Sequence, residues 1–169
     1  AQRLLARESF VPAEDQLNII AAAWIQAQVH GWLNHFEGQE TVEMTNGQGF
    51  CPMNKFKFYQ TLERDDGHYD SEIFQWWDAS FLYGCNTESL NDIRSFSGGK
   101  LKVNSNTPDT LPTRHDGTYF VGHNRNSWIG ISLLQELFLK EHNWLCDELA
   151  DTNPSLTDEE LYGYARNII

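Results

Sequence analysis

The 169 residues are 40% hydrophobic and 21% charged, the balance of a chain with a packed core rather than a disordered one. A formal charge of −12, with the basic residues scattered, argues against nucleic acid or an anionic membrane surface as a partner. No apolar run reaches the roughly 18 residues of a membrane span, AQRLLARESF has no apolar signal core, and Cys51, Cys85 and Cys146 show neither disulfide nor zinc spacing. A reducing intracellular compartment is the default expectation.

The first predicted element lies in VPAEDQLNIIAAAWIQAQVHGWLNHFEG. Pro12 suits a first turn, Asp15 lies near the positive end, and Gly38 is a natural stop. Leu17, Ile20, Ala21, Trp24 and Gln28 recur at steps of three and four, the period of a helix face. A second face carries Ala23, Gln26, Ala27 and His30, so two polar groups stand one turn apart among small alanines. From Gln39 to about Glu72 the pattern breaks up: NGQGFCPMNK is turn-rich, FKFYQTL is a short aromatic strand candidate, and ERDDGHYDSE is a polar loop.

In IFQWWDASFLYG, four aromatics are expected to pack around Asp78 and Ser80. NTESLNDIRSF reads as a short helix capped by Asn86 or Thr87, and GGKLKV as a turn with a strand-like tail. NSNTPDTLPTRHDGTYFVGHNR, punctuated by Pro, Asn and Gly, is a long structured loop. NSWIGISLLQELFLKEHNWLCDELA is helical, with Leu133, Leu134, Leu137, Phe138, Leu145 and Leu149 as a wide buried stripe. After a loop over Asp151 to Ser155, Thr157 and Glu160 form a capping box opening a last helix that has no stop signal. The fold class expected is mainly α with long loops, and the chain reads as a fragment of a larger polypeptide.

Three segments together carry a family likeness. WIQAQVHGWLNHFEG resembles the distal helix of the haem peroxidase-cyclooxygenase superfamily, with Gln26 four residues before His30. WWDASFLYG with GGKLKV resembles its Asp-x-Ser-x-x-Tyr-Gly segment, and GHNRNSWIGISLLQELFLKEHNWLCDEL its arginine loop and Glu-His-Asn helix. LLARESFVPAEDQLNIIAAAWIQ, NKFKFYQT, the pair Trp76-Trp77, RNSW and SLLQELFLKEHN resemble the fatty-acid alpha-dioxygenase branch of that superfamily.

The resemblance implies a haem peroxidase-cyclooxygenase-like helical fold, with residues 1–169 as its distal-haem part. It implies an oxidoreductase in which peroxide-oxidised haem generates a tyrosyl radical. The radical abstracts hydrogen alpha to a fatty acid's carboxylate, dioxygen adds there, and the product is a 2-hydroperoxy fatty acid, an oxylipin precursor. His30 would be the distal histidine, Gln26 its partner toward haem, Arg125 the distal cation, and His115 a contact to the substrate carboxylate. Alone, each is an ordinary helix or loop residue; only the ordered set gives it a role. His142 is read as structural, and Tyr83, Tyr119 and Tyr162 are not assigned the radical.

Val29 and Trp128 stand where animal peroxidases attach haem through carboxylates, so non-covalent haem b is implied. Of the superfamily's calcium ligands only Asp78, Ser80 and the Trp76 carbonyl remain, since Gly31 and Phe74 replace an Asp and a Thr. Calcium prefers six to eight oxygens, so that site is expected weakened or lost. The proximal histidine and radical tyrosine would come from downstream sequence, and any peripheral membrane contact from parts outside this chain. The alternatives are a peroxidase of the same superfamily that reduces hydrogen peroxide, and a non-catalytic haem-binding or structural fragment.

Overall fold

A computed structural model describes Ser9, Pro12 and residues 17–45, 55–73 and 76–169. The first helix, α1 (Ile19–Trp32), begins later than Pro12 suggests. Asn18 caps it by accepting the Ala21 N–H at 3.0 Å. Asp15 lies outside the described residues. Gly38 does not stop the helix, which ends at Trp32; it lies in β1 (Glu37–Thr45).

Of the two faces that periodicity groups on α1, the one carrying His30 is the buried one. Ala23, Ala27, His30 and Gly31 are buried, while Leu17, Ile20 and Trp24 are exposed. The helix is apolar nearly all round, so periodicity groups its faces without ranking them. Small residues decide the outcome by letting α1 lie close against α2 (Ser80–Tyr83) and α4 (Ile129–Thr152). A Cβ on Gly31 would stand 3.6 Å from Ser80 Oγ.

The strand expected in FKFYQTL is β2 (Lys55–Thr61), paired antiparallel with β1 from Thr45↔Lys55 to Glu37↔Thr61. β1 was not foreseen because EGQETVEMT is polar and holds a glycine, with little of the β-branched or aromatic signature of a strand. The ribbon's register shifts between Glu37 and Thr41.

In α2 every residue is buried, yet Trp76 and Trp77 are 73% and 71% exposed. The expected aromatic cluster is therefore split, with Phe81 and Tyr83 in the core; Phe74 lies outside the described residues. The cause is local. Asp78 Oδ1 accepts the Ser80 N–H at 3.1 Å and Ala79 adopts φ 51°, a left-handed turn that re-aims the chain between the tryptophans and α2.

Asn86 caps α3 (Thr87–Ile93) by accepting the Ser89 N–H at 2.9 Å. The strand-like tail expected after it is reduced to a single Arg94↔Leu101 bridge. Thr157 and Glu160 form both bonds of the capping box that opens α5 (Asp158–Ile168). α4 buries Ile131, Leu134, Gln135, Leu139, His142 and Cys146, whereas Leu133 and Leu137 are more than half exposed.

Arg94 joins α3 to α5. Its guanidinium pairs with Asp158 at 2.7 Å and Glu159 at 2.6 Å, and lies 4.1 Å from the Tyr162 ring centroid. Nearby, the Tyr83 hydroxyl donates to His142 Nδ1 at 2.8 Å, and His142 Nε2 donates to the Gly99 carbonyl at 3.0 Å. Fully buried with both nitrogens paired, His142 behaves as the structural residue its sequence context implies. Among the described residues no helix is long and apolar enough to cross a membrane, and Cys85 and Cys146 are free thiols.

Candidate functional site

Three elements converge near the C-terminal half of α1: that helix, α2, and the loop from Val121 to Trp128. The loop crosses α2 at the closest approach of two backbones. Gly122 N–H donates to Leu82 O at 2.7 Å and His123 N–H to Phe81 O at 3.2 Å. A Cβ on Gly122 would overlap the Gly84 backbone, and Gly84 itself, at φ 80°, would clash with Ser89 if it carried one. Only glycine fits either side of this crossing. From α4, Gln135 secures it by donating to Phe81 O at 2.9 Å and His123 O at 2.8 Å.

His30 is buried at 6% exposure, on the side of α1 that meets this crossing. Its ring centroid is 4.6 Å from that of His123. Burial holds His30 below its ordinary value of 6.5. His123 is pushed down to about 4, first by burial and then by the nearby His30 and Arg125. Two imidazoles this close disfavour each other's charged form, so the pair is neutral near pH 7.

Gln26, one turn before His30, is gripped from two directions. Trp128 Nε1 donates to its Oε1 at 2.7 Å, and its Nε2 donates to the Asn126 carbonyl at 2.8 Å. The same Nε2 lies 3.4 Å from His30 Nε2. Asn126 presents its carbonyl from a left-handed conformation, φ 48°, which asparagine tolerates better than most residues. The other His30 nitrogen, Nδ1, is buried without a protein partner.

His30, Arg125 and Ser80 line one cavity of about 120 Å³, shared with Asn34, Glu72 and His123. Arg125 is half exposed and held by Glu37 at 3.4 Å and Glu72 at 3.7 Å. His115 is not brought to this cavity. It sits on the exposed turn between Thr113 and Tyr119 and lines a separate hollow with Thr113, Arg114, Asp116 and Phe120. Of the residues marked for calcium, Trp76 is exposed, Asp78 accepts the Ser80 N–H and faces Arg166 at 3.9 Å, and Ser80 Oγ is buried unpartnered. Among the described residues no group of three or more His, Cys, Asp or Glu could hold a metal ion.

Sequence reasoning missed two participants. His123 carries no periodic signal, and only its place two residues before Arg125 points to it. Trp128 stood out for the carboxylate it lacks, but its bond to Gln26 spans 102 positions and leaves no local trace.

The profile of the animal haem peroxidase family matches residues 1–169. The chain is 39% identical over 175 residues to "Alpha-dioxygenase 1" of Arabidopsis thaliana, spanning 98% of this chain and 27% of that protein. It is 40% identical to "Alpha-dioxygenase PIOX" of Oryza sativa subsp. japonica, spanning 98% of this chain and 28% of that one. The fold matches the crystal structure of the Arabidopsis thaliana fatty acid alpha-dioxygenase with a TM-score of 0.84 at 39% identity, over 96% of this chain and 27% of that structure. Peroxidase A of Dictyostelium discoideum shares the fold at a TM-score of 0.73 and 22% identity, over 95% of this chain and 39% of that structure. The chain thus spans little more than a quarter of the length of the curated relatives it matches. It belongs to the animal haem peroxidase family, and haem is the cofactor that membership implies.

Proposed function

We propose that this chain forms the distal wall of the haem pocket in a fatty-acid alpha-dioxygenase, which adds dioxygen next to a fatty acid's carboxylate. The observation that carries the reading is the Gln26–His30 pair, with His30 and Arg125 lining one cavity. An imidazole held neutral by burial accepts a proton from a peroxide at neutral pH and can return it. The Gln26 amide adds an uncharged donor at the same place. Arg125 supplies permanent positive charge for an anionic oxygen. Its two exposed ion pairs are worth at most about 1 kcal/mol each, so exchanging them for another anion is cheap.

The residues fit a haem on this side. Ile25 and Val29 expose apolar surface next to Gln26 on α1, which a porphyrin face would cover. Neither Val29 nor Trp128 offers a carboxylate for an ester, which supports haem b held without a covalent bond. Bound there, haem supplies the oxidising chemistry, while the protein supplies proton transfer, orientation and exclusion of water. Among the described residues Asp78 and Ser80 belong to no group of three or more His, Cys, Asp or Glu that could hold a metal ion, which supports weakened calcium binding.

Similarity to a fatty acid alpha-dioxygenase of Oryza sativa solved with palmitic acid supports a fatty acid as substrate. His115 is assigned the carboxylate contact, on a turn where Arg114 lies 4.1 Å over the Phe120 ring. The test is His115→Ala in the haem-loaded enzyme. Losing one hydrogen bond to a charged group, about 1.5–3 kcal/mol, raises the KM for fatty acid roughly ten- to a hundredfold and spares peroxide turnover. Equal loss of both activities, or loss of neither, refutes the assignment. Turnover of peroxide with small donors and none with fatty acid would identify a peroxidase instead.

A further inference from the structure

The hydrogen-bond donors around Gln26 leave one arrangement of protons. An indole N–H can only donate. Trp128 Nε1 therefore fixes the Gln26 atom at 2.7 Å as the carbonyl oxygen. The opposite end must be the NH2 group, as its 2.8 Å approach to the Asn126 carbonyl independently requires. One of its two hydrogens goes to Asn126. The other points along the 3.4 Å vector to His30 Nε2. That N–H is accepted only by a bare Nε2, an arrangement that puts the proton of the neutral ring on Nδ1. Nδ1 is the ring nitrogen left without a protein partner, beside a cavity roomy enough for water.

We propose that Trp128 is a positioning residue, which clamps the Gln26 amide in one orientation and thereby selects the His30 tautomer whose bare Nε2 can take a proton. At 3.4 Å the Gln26 contact is weak, so an incoming hydroxyl or hydroperoxide displaces it without cost to the ring's orientation. Trp128 suits the task. It sits at the N-cap of α4 but makes no side-chain capping bond there, and its ring is wedged against Gly130, where a Cβ would overlap it. Its indole is thus held rigidly and aimed at Gln26. The inference deepens the reading of His30 as the distal histidine and rests on that reading for its chemistry. The proton placement itself does not depend on it.

The test uses the full-length enzyme labelled with 15N-histidine, in haem-free form for spectroscopy and haem-loaded for kinetics. Long-range proton–nitrogen spectra distinguish a bare ring nitrogen from a protonated one. The wild type is expected as a single Nδ1–H tautomer at His30. Trp128→Phe keeps an aromatic ring, loses the indole edge against Gly130 and removes the donor, so the amide can flip and His30 becomes a mixture of tautomers. Gln26→Glu keeps an acceptor for Trp128 but has no N–H for His30, so its proton moves to Nε2. In the loaded enzyme, Trp128→Phe lowers the rate of reaction with peroxide about fivefold, the worth of one hydrogen bond, with the KM for fatty acid unchanged.

A wild-type Nε2–H tautomer, or a Trp128→Phe spectrum identical to wild type, overturns the proposal. The expected tautomers together with a wild type inert to peroxide support the clamp and overturn the distal-histidine reading.

Discussion

The close pair of imidazoles makes stability depend on pH in a way that can be worked out. His123 ionises near 6.5 when unfolded and at about 4 when folded. Between those values the unfolded chain binds the extra proton, so stability is full above about pH 6.5 and is lost as pH falls toward 4. Proton linkage between pH 7 and pH 5 gives a loss of about 2 kcal/mol for such a shift. His123 keeps partial contact with solvent, which reduces the expected loss to roughly 1 kcal/mol. His30 and His142, both lowered by burial, add to it with the same sign.

The assay is urea denaturation at half-unit steps from pH 7.5 to 4.5, on wild type and His123→Gln. The wild-type midpoint should fall as pH drops below 6.5. The variant should fall less, by about 1 kcal/mol at pH 5 relative to its own value at pH 7. Parallel curves for the two proteins, or a wild type that gains stability on acidification, would refute the reasoning.

Two further outcomes follow from the packing. Arg94→Met should destabilise by about 2–3 kcal/mol, the worth of its charged hydrogen bonds; Asp158 and Glu159 both reach solvent and are not stranded, and a urea-derived loss below about 0.5 kcal/mol would contradict this. Gly31→Asp should let millimolar calcium raise the thermal midpoint by several degrees where wild type shows no shift, because a Cβ there meets Ser80 Oγ at an ordinary 3.6 Å; equal responses would count against the residual site.

How legible the sequence was depends on the range of the interaction. The Thr157–Glu160 box and the Asn86 cap are complete within four residues, and both form as read. Gln26 and His30 lie one turn apart and meet for the same reason. The inward face of α1 is not legible in the sequence because hydrophobicity cannot rank two apolar faces. Closeness of approach ranked them, and that depends on Ser80, fifty residues away. The packing of four aromatics expected around Asp78 and Ser80 is broken at Trp76 and Trp77, which the left-handed Ala79 separates from α2. Likeness to a family put His30, Gln26 and Arg125 on one short list. It carried no sign of His123 or of the Trp128 clamp, whose contacts join segments about a hundred residues apart.

The glycine crossing at Gly84 and Gly122 has a mechanical consequence. Side-chain contacts between two segments can absorb small movements by changing rotamer, but two backbones in direct contact have no such slack. His123 and Arg125 are therefore indexed to α2 by main-chain bonds from Gly122 and His123. The helix that begins at Ser80 and the loop segment from Gly122 to His123 are thus registered to each other by main chain rather than by side chains.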